Sequence, residues 1–64
     1  MRETTVYRTA SGMIFRVSEG GEAYRAVETL RGGSWVKGQP GMVGLRVAPD
    51  TVRLTAKQVL ALPI

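Results

Sequence analysis

Glycines at 12, 20, 21, 32 and 33 cut the first half of this 64-residue chain into runs of at most eleven residues. Runs that short suit strands, and their contents agree. Residues 4–9 (Thr-Thr-Val-Tyr-Arg-Thr) and 13–17 (Met-Ile-Phe-Arg-Val) are rich in β-branched and aromatic side chains, which fit a pleated, half-buried surface. Ala10-Ser11-Gly12 has the length and terminal glycine of a three-residue hairpin loop. Counting back from it pairs Thr9 with Met13, Tyr7 with Phe15 and Thr5 with Val17 on one face. Val6, Arg8, Ile14 and Arg16 fall on the other. Side chains alternate between faces with period two, so this hairpin is half-buried.

The next segments follow the same logic. If Gly20-Gly21 is a two-residue loop, Val17 lies opposite Tyr24, Phe15 opposite Ala26 and Arg16 opposite Arg25. Residues 22–31 also read as a helix, since Ala23, Ala26, Val27 and Leu30 form an apolar stripe with Gly32 just beyond. The strand is preferred because its register continues the first hairpin, although it turns Glu28 inward. Gly32-Gly33 predicts a further turn, and Ser34–Lys37 a short strand. Residues 42–47 and 52–55 read as strands around the turn Ala48-Pro49-Asp50-Thr51, which pairs Val47 with Val52, Leu45 with Leu54 and Arg46 with Arg53. Thr55 and Gln58 have capping-box spacing and predict a short helix, with Val59, Leu60 and Leu62 folding back before Pro63. The expected fold is one mainly-β domain over residues 1–64, a small five-stranded antiparallel barrel with a short C-terminal helix. The alternative is α+β, with a helix at 22–31.

Lys37-Gly38-Gln39-Pro40-Gly41-Met42-Val43, followed by a strand, a Pro-Asp turn and a terminal helical turn, resembles the K-G-x-x-G-x-V core of KOW-type SH3-like barrels. The resemblance covers about half the chain. It implies a barrel whose glycines shape a loop beside the strands, and binding to RNA or to a polymerase-associated protein.

Composition narrows the function. A domain this small buries only about 60% of its unfolded surface, and without Cys or His it has no disulfide and none of the usual zinc ligand sets. Association with a partner or a second copy is the remaining way to add buried surface, so a homo-oligomer is an open expectation. Acid–base catalysis is poorly provided for: the acids Glu3, Glu19, Glu22, Glu28 and Asp50 fall mostly at turns and ends, and the serines lack a side-chain base. Glu19 and Glu22 flank one turn as a loose cation site at best. No enzyme activity, cofactor or metal is expected. The N-terminus lacks the apolar stretch of a signal peptide and no run is long enough to span a membrane, so the expected location is the cytoplasm, with no membrane partner.

Nine basic residues face five acidic ones, for a net charge of +4, and seven of the nine are Arg. The planar guanidinium suits phosphate and carboxylate. The hairpin registers set Arg16 opposite Arg25 and Arg46 opposite Arg53. Like charges directly across a sheet repel, so each pair invites an anion. The leading expectation is therefore a non-catalytic module that contacts nucleic-acid phosphates, DNA or RNA, through Arg16, Arg25, Arg46, Arg53 and Lys37, with Trp35 stacking on a base. The competing expectation is a protein-interaction or assembly module. It would use an outward apolar patch of Val6, Ile14 and Val27, with Trp35, against an acidic protein or a second copy, unless the segment 59–64 covers that face within the chain.

Overall fold

A computed structural model describes residues 2–21 and 24–64 of the chain, Arg2 and Tyr24 by their backbone alone. Strands β1 (Arg2–Arg8) and β2 (Ile14–Gly20) form the first hairpin, with Tyr7 opposite Phe15 and Thr5 opposite Val17 as the loop count predicts. Strand β3 (Tyr24–Arg31) and strand β4 (Ser34–Lys37) form the second. Gly32 and Gly33 both take positive φ, +57° and +81°, in its two-residue loop. That is the type I′ signature, whose twist matches the flanking strands. Strand β5 (Val52–Arg53) adds to the far side of β1, giving one antiparallel sheet in the order β4-β3-β2-β1-β5. The helix α1 (Ala56–Leu60) begins at the expected capping box, Gln58 N donating to Thr55 Oγ1 at 3.2 Å and Thr55 N to Gln58 Oε1 at 2.8 Å.

The mainly-β expectation holds, and residues 24–31 are a strand rather than a helix. The sheet stays open, edged by β4 and β5, and does not close into a barrel. Two registers differ from expectation. Strand β2 continues to Gly20, so Val17 meets Val27, Phe15 meets Thr29 and Arg16 meets Glu28. This is a slip of three residues, an odd number, which turns β3 over. Val27 thereby joins the core and Glu28 leaves it. Residues 42–47 are the second difference: Pro40–Val47 winds as a 3₁₀ segment instead of a strand. Runs of this length are uncommon for 3₁₀ structure, and tertiary packing explains this one. The face carrying Phe15, Val17 and Val27 needs a cover, and Met42, Val43 and Leu45 supply it.

The molecule thus has two unequal layers on one sheet. Face A holds Tyr7, Phe15, Val17, Val27 and Thr29 under the 3₁₀ segment, with Tyr7 and Phe15 stacked at 5.2 Å between centroids. Face B holds Val6, Arg16, Ser18, Glu28 and Trp35, and Leu54 lies beside Val6, its N–H donating to Val6 O at 2.8 Å. The C-terminal tail runs past this side: a Cβ on Gly33 would sit 3.2 Å from Pro63 O.

Candidate functional site

The residues named as phosphate anchors do not form the expected pairs. Arg16 lies opposite Glu28, not Arg25, and Arg16 Nε donates to Glu28 Oε1 at 2.8 Å. Its guanidinium also stacks over Trp35, 4.3 Å from the ring centroid. Arg25 lies opposite Glu19 and bonds it, Nη2 to Oε2 at 3.1 Å. Arg46, carried on the 3₁₀ segment, has no strand partner in Arg53 and reaches Glu19 instead, Nη1 to Oε1 at 2.8 Å. Arg53 is exposed on β5 opposite Tyr7, and Lys37 is exposed opposite Glu28. Repulsion between arginines is therefore relieved within the chain by Glu19 and Glu28, and no bound anion is required for it. The sequence held a signal for this. Shifting the β2–β3 register by three exchanges one Arg–Arg opposition for two Arg–Glu oppositions, a favourable cross-strand choice.

The apolar patch is corrected in the same way. Val27 is buried at 8% exposure on face A, whereas Val6, at 7%, is buried on face B beside Leu54. With Val27 turned away and Val6 buried, only the half-buried Ile14 keeps substantial outward exposure of the three. Of the suggested cation pair, Glu22 lies outside the described residues, and Glu19 is engaged by two arginines. Among the described residues no group of three or more His, Cys, Asp or Glu could hold a metal, and no helix is long and apolar enough to cross a membrane.

Glu19 straps the 3₁₀ segment onto face A. The hydrogen bond from Arg46, outweighing partial desolvation and joined by that from Arg25, holds its carboxyl below the ordinary carboxylate range. A lowered folded-state pKa contributes stability that is present above the unfolded value and lost as pH falls through the folded one. Urea midpoints of the wild type are expected to drop more steeply than those of Glu19→Gln as the solution is acidified below about pH 4.5. Parallel curves for the two proteins would show that the strap contributes nothing.

What the fold assembles instead is a cleft of about 570 Å³ on the β1–β5 side, over face B. Its floor is Val6, Arg16, Trp35 and Leu54, and its wall is Val59 and Leu60 of the C-terminal segment. Leu60 is 87% exposed, and Ile64, which also lines the cleft, is 65% exposed. The tail does fold back over face B, but it leaves a groove instead of a sealed layer. The capping box was legible as the start of this wall, whereas the outward rotation of Leu60 was not. No family model matches the chain, no curated protein matches it, and no solved structure matches its fold.

Proposed function

We propose that this chain is a non-catalytic protein-interaction module that takes a partner in the cleft between face B and the C-terminal segment. One observation carries the reading. Large apolar side chains, Leu60 and Ile64, stand in solvent beside a concave and mostly apolar groove. Exposed apolar surface rimmed by polar groups is the signature of an interface. Arg53 in the lining, which no ion pair engages among the described residues, and the net charge of +4 favour an acidic partner over a basic one. The ion-pairing of Arg16, Arg25 and Arg46 speaks against these three as free phosphate contacts.

A second reading has its own support. The register places Arg8, Arg31 and Arg53 at the same end of the sheet, and no ion pair engages them among the described residues. Unpaired arginines spread along one end of the sheet, Arg8 on face B and Arg31 and Arg53 on face A, suit a polyanion backbone.

Selection from a displayed random peptide library, run on the wild type and on Leu60→Asp in parallel, tests the first reading. Peptides recovered by the wild type and not by the variant are expected. A library yielding none overturns it. Random DNA and RNA strands form the companion arm. Salt-sensitive binding that survives Leu60→Asp and vanishes in Arg8→Ala/Arg31→Ala/Arg53→Ala would transfer the function to nucleic acid.

A further inference from the structure

Strand β1 is unevenly partnered. On one side it pairs with β2 along its whole length, from Arg2 opposite Gly20 to Arg8 opposite Ile14. On the other it meets β5 only at Tyr7 and Arg8, with Leu54 N reaching Val6 O at 2.8 Å. The chain then leaves the sheet through Thr55 into α1. Alternate residues of a strand direct their N–H and C=O groups to the same side. Because Val6 O points toward Leu54, the backbone N–H and C=O of Thr4 point along that side too, beyond the end of β5. No backbone partner engages them among the described residues. Residues 2–5 are thus a bare strand edge, without proline, and the continuous β1–β2 register shows no bulge to twist it away.

This edge opens directly on the cleft, which Thr4 and Thr5 line together with Val6, Leu54, Val59 and Leu60. An added strand would hydrogen-bond to the edge and send every second side chain into the apolar groove. Its remaining side chains would lie on the face of Glu3, Thr5 and Arg53.

We infer that the cleft recognises its partner by strand addition: an extended segment of an acidic protein, with alternating apolar residues and acidic flanks, pairs with the β1 edge at residues 2–5. The inference rests on the protein-interaction reading and gives it a binding mode. Charge selects this occupant over a second copy. The two-fold antiparallel pairing that keeps clear of Leu54 matches Arg2 with Thr4 and sets Glu3 directly against Glu3 of the other copy, and both copies carry +4. An acidic segment instead meets a chain of net charge +4 and, at the cleft, Arg53, which no ion pair engages among the described residues.

The test uses the full chain, nitrogen-15 labelled, and the peptide acetyl-Asp-Val-Thr-Val-Thr-Val-Asp-amide. Two N-methylated versions accompany it, one blocked at the odd-numbered amides and one at the even-numbered. Binding is expected to shift Val59 and Leu60 and to slow amide exchange at Thr4 about tenfold or more at saturation. One methylation pattern should weaken binding about tenfold or more while the other leaves it intact, since only one set of amides faces the edge. Shifts at Val59 and Leu60 without protection at Thr4, and equal affinity for both methylated peptides, overturn strand addition and leave the interaction reading standing. No shift with this peptide, where library-selected peptides do bind, overturns the proposed partner pattern alone. No shift with either overturns both readings. Protection of Thr4 that rises with protein concentration in the absence of peptide assigns the edge to a second copy and overturns the acidic partner.

Discussion

Phe15→Ala is expected to leave the chain unfolded, or close to it, at room temperature. Phe15 has no exposed surface, stacks on Tyr7 at 5.2 Å and lies at the centre of the cluster formed with Val17 and Val27. Truncating a buried Phe to Ala removes its transfer free energy and leaves a cavity, together costing about 3–5 kcal/mol. At roughly 0.05–0.15 kcal/mol per residue, a domain of this length has only about 3–10 kcal/mol in total. The core cannot redistribute the loss, because the buried hydrophobic residues among those described are five: Val6, Phe15, Val17, Val27 and Leu54. Of these, Val6 and Leu54 sit on the opposite face. Far-UV circular dichroism across a urea titration reads the effect directly. An unchanged midpoint in the Ala variant would mean that face A is not the core of the fold. Phe15→Leu keeps most of the volume and should still fold, which separates packing from aromatic stacking.

Gly38→Ala is expected to cost about 1–3 kcal/mol, the usual range for forcing extra carbon into a packed site. The backbone of Gly38 is anchored by its N–H to Val27 O at 2.8 Å. A Cβ there would stand 3.0 Å from Thr29 Oγ1 and 3.2 Å from both Met42 Sδ and Val27 Cγ1. Thr29 is 5% exposed and its hydroxyl donates to Met42 Sδ at 3.6 Å, so the nearest neighbours are themselves confined. Gly41→Ala, three residues on, meets nothing within 4 Å and serves as the control. Both variants add the same methyl group, at Gly38 against the sheet and at Gly41 in open space, so the difference between them reads close approach. Equal urea midpoints for the two variants would show that the segment can lift from the sheet without penalty.

The two sites differ in how much of their role could be read in advance. Phe15 was legible: the Ala10-Ser11-Gly12 loop sets the β1–β2 register, and alternation then fixes which face its ring must take. The turn at Gly32-Gly33 and the box at Thr55 and Gln58 were legible for the same reason, since each is a local conformational preference written in a few adjacent residues. Gly38 reads only as part of a glycine-rich loop until Thr29 and Met42, distant in sequence, are brought against it.

The arginines mark the boundary between the two kinds of information. Alternation alone places Arg16 on the face opposite Phe15, because it needs no knowledge of the neighbouring strands. The partner of Arg16 is not set locally, because the β2–β3 register depends on where β2 ends, and Ser18-Glu19-Gly20 can be strand or turn with little local preference. The β-branched and aliphatic residues of Met42–Val47 predict a strand for Arg46. Its 3₁₀ form answers to the exposed face of a sheet built from residues 5–29.

The strand-rich class, the first hairpin and its register, the β3–β4 turn and the helix start follow from local residue patterns, because short-range sterics and period-two alternation act within a few residues. Only the tertiary structure decided which carboxylates meet Arg16, Arg25 and Arg46, what covers Phe15, and that residues 2–5 of β1 border an open cleft. Those outcomes turn on contacts between segments far apart in the chain, where an odd slip in pairing reverses a strand and a single layer of apolar residues must choose which face to cover.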